Sequence, residues 1–324
     1  MHSNLPYKTK QFFFVLIKLS IVVGAFYFIY QKLLYNDTLN FSHFIHFLNQ
    51  NKLFSLKNIV ILSFLSGLNW FIEIIKWRFL VSKLKVLSVF EASEQSLGAL
   101  TASLLTPNRI GEYGAKAIYY PKAHRKRILL INLISNMMQM GITVILGIIG
   151  FILYHNTYDT TIDFIKISRV LFIAIIIFVI TLFVLKQSKY KIKGFSIQKI
   201  TNYIKTLGLS YITIGLVLSL LRYIIFSFQF YYILILLGIE ISYPNAMVII
   251  TTLYLLASII PTISIFDVVI KGSVAIYLFG FANIAELPVL SCALIMWCLN
   301  FALPSLIGSY FVLRFNPIKT NVKC

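Results

Sequence analysis

Six ionisable residues stand in stretches that are otherwise strongly apolar: Arg109, Glu112, Lys116, Arg222, Asp267 and Lys271. An ionised side chain at the centre of a membrane span costs roughly 2.5–3.5 kcal/mol, so six unpaired ones would cost on the order of 15–20 kcal/mol. Folds are usually stable by roughly 5–15 kcal/mol. These residues must therefore face one another or water. Glu112/Lys116 and Asp267/Lys271 are spaced i,i+4 with the acid first, the spacing at which side chains meet on a helix. Each pair is thus able to satisfy itself. The alternative is a binding site: four basic and two acidic groups sum to +2. The helix starts expected after Pro107 and Pro261 would offer free N–H groups to an anion. Gly111 would let backbone approach closely. Such a constellation suits a phosphate headgroup. Arg222 has no acidic neighbour in its own apolar stretch and needs either an ion-pair partner from another helix or a ligand.

The surroundings of these residues fix the class of protein. Hydrophobic residues make up 59% of the 324 positions and charged residues 12%, against roughly a quarter charged in a soluble domain. An all-α, polytopic membrane protein is expected, one transmembrane domain over 1–324. Six stretches reach the roughly 20 apolar residues a helix needs to cross a bilayer: about 12–34, 58–80, 128–154, 169–185, 209–237 and 288–313. Phe12 to Leu34 is too long for a signal-peptide core and is read as a retained span. Glu73, Lys76 and Arg78 fall near a span end, where snorkelling and local pairing would account for them, and Trp70 and Trp77 read as interface anchors or packing.

Two stretches, 92–120 and 246–280, are different. Each holds a short apolar run, a proline and polar turn, and a second short run: Ala-Ser-Leu-Leu-Thr-Pro at Ala102–Pro107, and Ala-Ser-Ile-Ile-Pro at Ala257–Pro261. Proline-broken backbone is tolerated at membrane depth only when buried in protein or lining a wet cavity. Both are read as re-entrant helix pairs. With the N-terminus in the cytoplasm, 19 of the 29 basic residues fall on inside segments and five on outside loops, the positive-inside pattern. Letting one hairpin cross fully would place the Lys122–Arg127 or Lys186–Lys205 block outside. The two pairs then enter from opposite faces, and their shared features (an acid five or six residues after the proline and a lysine four beyond it) suggest an inverted repeat, with candidate units 58–127 and 209–280.

Thr106 to Ala117, Thr-Pro-Asn-Arg-Ile-Gly-Glu-Tyr-Gly-Ala-Lys-Ala, resembles the Pro-x-Arg-x-Gly-Glu-x-x-Arg-Ala signature of the lysylphosphatidylglycerol synthase membrane region, the flippase-like part of bacterial aminoacyl-lipid synthases. Lys116 stands where that pattern commonly has arginine. The stretch from Pro261 through Asp267 is similar to the family's later loop, without its glycines and with aspartate for glutamate. The resemblance implies a domain that binds or translocates phospholipid. In full-length synthases the lysine transfer belongs to a separate soluble domain, which the ten or so residues after the last span leave no room for, so synthase activity is not carried over and no enzyme is expected.

The expected function is thus a flippase-like handling of an anionic or aminoacylated phospholipid in the cell (inner) membrane, with Arg109, Gly111, Glu112, Lys116, Arg222, Asp267 and Lys271 as candidate headgroup residues. The alternatives are an ion-coupled carrier of a small solute and a non-catalytic partner of a separate lipid-modifying enzyme. The net charge of +19 lies in blocks at span ends, which argues for membrane orientation and against nucleic acid. No Cys/His cluster has metal-ligand spacing, and no Walker, Rossmann or nucleophile-elbow motif is present; no cofactor or metal is expected. The topology predicts that both termini are cytoplasmic. A reporter fused after Cys324 should be active only on the cytoplasmic side, and activity on the outer side would overturn the topology together with the oppositely oriented hairpins.

Overall fold

Proline positions and the phase of polar residues explain where the helices break and how they turn. The computed structural model describes residues 53–104, 106, 109–158, 207–260 and 267–315. All regular structure among them is helical: α1 (Leu56–Val81), α2 (Val89–Ser103), α3 (Ile110–Ile118), α4 (Lys122–Thr157), α5 (Leu209–Leu236), α6 (Tyr243–Ile259), α7 (Asp267–Gly280), α8 (Glu286–Trp297), a π-helical turn (Cys298–Ala302) and α9 (Leu303–Arg314). Four of these are long and apolar enough to cross a membrane: α1, α4, α5 and the continuous α8–π–α9 rod of 29 residues. At 1.5 Å per residue they run from about 39 to about 54 Å. They coincide with the expected spans 58–80, 128–154, 209–237 and 288–313; the expected spans 12–34 and 169–185 lie outside the described residues. The chain is a helical, multi-pass membrane protein.

Each spanning helix is amphipathic with its polar side inward. On α1, Ser66, Asn69, Glu73 and Lys76 recur at helical spacing and are buried, while Ile59, Val60, Phe64 and Phe71 on other faces are exposed. On α5, Gly215, Ser219 and Tyr223 are buried and Val217, Leu221, Ile224 and Phe228 exposed. In lipid that arrangement is the stable one, because apolar side chains need no cover there and polar ones do.

The stretches flagged for their prolines are pairs of shorter helices. α2 begins on a capping box: Ser88 Oγ accepts from the Glu91 N–H, and the Ser88 N–H donates to Glu91. That backbone donor holds the Glu91 carboxyl below the usual carboxylate range. α2 ends three residues before Thr106, whose conformation before Pro107 is biased away from the helix. α3 then folds back along α2 as an antiparallel hairpin: the Tyr120 hydroxyl donates to Gln95 and the Tyr119 hydroxyl to the Glu94 carbonyl. Thr106 joins the arms, its hydroxyl donating to the Ser103 carbonyl and accepting from the Gly111 N–H. α6 ends at Ile259 and packs against α7.

α1 and α5 pack antiparallel along their length, from Tyr211 beside Leu80 to Tyr232 beside Asn58, and at the crossing of their midpoints Asn69 meets Arg222. Around that crossing α2 packs on α9, and α6 on α4. Buried positions recur between the two halves of the fold. Leu62, Ser66, Trp70, Ile74, Trp77 and Leu80 of α1 correspond, 153 residues on, to Gly215, Ser219, Tyr223, Ser227, Phe230 and Ile233 of α5. Ala92, Gln95, Ser96, Ala99 and Leu100 of α2 correspond, 154 residues on, to Ala246, Ile249, Ile250, Leu253 and Tyr254 of α6. Glycine recurs too. A Cβ on Gly150 of α4 would overlap the Thr251 hydroxyl of α6, and one on Gly308 of α9 would overlap the Leu97 carbonyl and Thr101 hydroxyl of α2. Small residues of this kind are how membrane helices approach closely.

The contrast among glycines supplies a test. Gly308→Ala drives a methyl group into backbone that cannot move aside and should lower thermal stability in detergent by about 1–3 kcal/mol, as overpacking does. A Cβ on Gly67 meets nothing within 4 Å, so Gly67→Ala should be neutral or stabilising by about 0.5–1 kcal/mol through helix propensity. Equal melting temperatures for the two variants would show that the α2–α9 contact is looser than described.

Candidate functional site

Charges placed at the helix crossing cannot be left to lipid, and they converge on one chamber. Two lobes of about 310 and 300 Å³ share Asn69, Arg109, Arg222, Phe226, Tyr254, Asp267 and Lys271 as lining. The first lobe is walled by Trp70, Phe230, Met296, Trp297 and Phe301. The second adds Gln139, Thr143, Tyr223 and Ser258. Of the seven candidate residues, the fold therefore brings Arg109, Arg222, Asp267 and Lys271 to a common space. Volumes of this size are those of small-ligand sites.

Arg222 enters from the middle of α5. Its Nε donates to Asn69 Oδ1 at 3.1 Å, its Nη1 to Glu73 Oε2 at 2.8 Å, and its guanidinium lies 5.7 Å from the centre of the Trp70 ring. The ion-pair partner that its own span lacks thus comes from α1. Asn69 is held in turn by a polar chain: its Nδ2 donates to Asn300 Oδ1, Asn300 Nδ2 donates to Gln229 Oε1, and Gln229 Nε2 donates to the Leu62 carbonyl. The π-helical turn belongs to this chain. Pro304 has no N–H to give the carbonyl four residues back, which is that of Asn300, and the Trp70 indole donates to it at 2.9 Å. The Ser66 hydroxyl likewise donates to the Leu299 carbonyl at 2.6 Å.

Arg109 enters from the tip of the α2–α3 hairpin. It caps α3 in the left-handed region, φ 56° and ψ 30°, a conformation that costs a residue with a Cβ about 1–2 kcal/mol and that clusters at functional sites. Its guanidinium stands 3.6 Å from Glu112. Asp267 and Lys271 enter from the start of α7 and pair at 2.8 Å, part-exposed, with the Lys271 ammonium 6.0 Å from the centre of the Phe226 ring.

Three candidates lie behind the chamber wall. Glu112 and Lys116 pair at 2.8 Å in the core, where the Lys116 ammonium also donates to Asn132 at 2.9 Å and sits 4.1 Å from the centre of the Trp77 ring. The i,i+4 pairs form as spaced, yet they face different ways. On α7 the buried residues are Val268 and Gly272, so Asp267 and Lys271 sit one residue, about 100°, off the buried face of their helix and turn toward the chamber. Gly111 is also engaged elsewhere. Its N–H serves the Thr106 hydroxyl, and a Cβ would come within 2.9–3.0 Å of Thr106 and the Ala102 carbonyl. Its close approach is to its own hairpin.

Glu73 and Lys76, read from sequence as span-end residues, are instead core residues paired at 2.8 Å. They and Asn69 were marked by their helical spacing with Ser66, a polar stripe in an apolar span; Asn300 was marked by the proline four residues after it. Trp77 is fully buried, its indole donating to Gln95 at 2.9 Å. Among the described residues no group of three or more His, Cys, Asp or Glu is placed to hold a metal, and Cys292 and Cys298 are free thiols.

Comparison with protein-family models, with curated proteins and with solved structures finds no match to this chain. The likeness to the synthase membrane region stands on the residues of Thr106–Ala117 and Pro261–Asp267 alone.

The strained conformation of Arg109 separates backbone from side chain. Arg109→Gly removes the steric cost and a half-exposed charge worth little in an ion pair, so its melting temperature should equal or exceed that of the parent. Arg109→Val keeps a Cβ, adds a branch and should melt lower. The reverse order would show that the arginine side chain, and not its backbone, governs stability here.

Proposed function

We propose that this protein is a flippase-like membrane protein that binds an anionic or aminoacylated phospholipid headgroup in the chamber at the α1–α5 crossing and moves it across the bilayer. The observation that carries this reading is the composition of the chamber wall. Arg109, Arg222 and Lys271 face one acid, Asp267, beside a wall of aromatic rings. Guanidinium groups hold phosphate oxygens bidentately, and an aromatic wall accepts the apolar stem of a lipid. Arg222 stands at the midpoint of a spanning helix, where a transported headgroup must pass.

In this reading the α2–α3 and α6–α7 hairpins are re-entrant, enter from opposite faces and belong to two inverted units, with both termini in the cytoplasm of a cell whose inner membrane holds the protein. α2 and α6, of 15 and 17 residues, measure about 22 and 25 Å, short of a core about 30 Å thick. The recurrence of buried positions and of the glycine contacts between the halves supports the repeat. The likeness to the lysylphosphatidylglycerol synthase membrane region supports a lipid substrate.

Translocation of a fluorescent anionic phospholipid in proteoliposomes tests the proposal. Arg109→Lys keeps the charge and loses the planar fork; it should slow translocation about tenfold or more, the worth of one good charge-assisted hydrogen bond, with insertion and melting unchanged. Arg109→Ala should slow it at least as much. Parent-like rates in both variants would refute a phosphate site at Arg109 and leave the charges as structural pairs.

A further inference from the structure

The two arginines of the chamber are backed by the same device. Behind Arg222, Glu73 Oε2 lies 2.8 Å from the guanidinium and 2.8 Å from Lys76 Nζ. Behind Arg109, the Glu112 carboxylate lies 3.6 Å from the guanidinium and 2.8 Å from Lys116 Nζ. Both lysine side chains are 1% exposed, and neither lines the chamber. In each triad one carboxylate is divided between a buried lysine and an arginine on the chamber wall. Each triad therefore keeps a net charge of +1, and its arginine is the only member on the chamber wall.

Asp267 and Lys271 are a neutral pair. The segments that join the hairpin arms, 104–108 and 260–266, contain no ionisable side chain. Among the described residues the chamber thus carries two uncompensated positive charges, both on guanidinium groups. Both guanidinium groups are part-exposed to the chamber, and an occupant that displaces the water there must supply counter-charge or leave a buried charge unpaired, so the best occupant brings two negative charges and several acceptor oxygens.

We infer that the chamber is matched to a dianionic terminal phosphate, a phosphomonoester at the end of a lipid, in preference to the singly charged phosphodiester of an ordinary headgroup. The inference rests on the reading of the chamber as an anion site and narrows it. A phosphomonoester carries about −1.5 to −2 at neutral pH and three acceptor oxygens, enough to engage both guanidinium forks. The aromatic lobe against Trp70 and Trp297 takes the adjoining apolar stem. The protein groups that face the phosphate are Arg109, Arg222, Asp267, Lys271, Tyr223 and Tyr254, with no histidine among them.

Binding of phosphatidic acid and phosphatidylglycerol with identical acyl chains to the purified full-length protein, read by thermal shift and by titration, tests this. At pH 7.5 phosphatidic acid should bind about tenfold more tightly, and the preference should shrink toward pH 5 as the second phosphate proton, with a pKa of about 6, returns. Taking the ratio of the two lipids on one protein cancels titration of the protein itself. Lys76→Met and Lys116→Met each leave a glutamate paired with its arginine, so the fold retains its counter-ions. Each variant should lose most of the preference. Inorganic phosphate distinguishes the source: binding only at far higher concentration supports a lipid ligand, and binding as tight as that of phosphatidic acid supports a free phosphate in the same dianion site. Equal affinity for the two lipids at both pH values overturns the dianion match and leaves the anionic-lipid reading standing. Binding of neither above phosphatidylcholine overturns both.

Discussion

The contact between Arg222 and Glu73 is the interaction on which the rest of the structure depends. A guanidinium at the midpoint of an apolar helix cannot be left to lipid, so its helix must lie against one that supplies a carboxylate. α1 does so, and the crossing of α1 and α5 is thereby set at Asn69, Glu73 and Arg222. Two further charges gather at that junction. Lys76 shares the same carboxylate oxygen, and Lys116 approaches from α3 against Trp77. The Asn69–Asn300–Gln229 chain ties the junction to the π-helical turn. Removing one member would leave the others buried without partners, which costs far more than the pair itself contributes.

Much of this was legible in the sequence because lipid imposes simple rules. The four described spans lie within a few residues of the apolar runs that marked them, and the first arms of the two helical hairpins end at Ser103 and Ile259, each shortly before a proline in the sequence. The pairing of Glu112 with Lys116 and of Asp267 with Lys271 followed from spacing alone. Spacing could not say which way a pair would face. That depends on the phase of a whole helix against its neighbours, and a one-residue difference in register sends one pair into the core and the other to the chamber. Glu73 and Lys76 were misplaced for a related reason. Distance from a span end suggests snorkelling, whereas the stripe they form with Ser66 and Asn69 points inward. Gly111 was read as room for a ligand, and the room is filled by Thr106. Tertiary neighbours decide such matters, and only a fold can supply them.

The two halves share a burial pattern without sharing their polar residues. Position by position, Trp70 stands for Tyr223, Gln95 for Ile249 and Asn69 for Arg222. Shape is kept at the helix contacts, where glycine recurs at Gly150 and Gly308, and charge is distributed unequally. The interior charges are divided unequally, with both cavity arginines backed by glutamates of the first half and the neutral Asp267–Lys271 pair supplied by the second.

The π-helical turn at Cys298–Ala302 has a further consequence for how this span tolerates change. Such a turn holds one residue more than the α-helical path while leaving the rods on either side in phase. Length can therefore be altered there without rotating Ser305 and Gly308 away from α2, which a deletion anywhere else in the rod would do by about 100°. Losing the extra residue would instead close the carbonyls that Ser66 and Trp70 now use. The turn works as a local store of slack: what it gives up in helical hydrogen bonding becomes the attachment of α1.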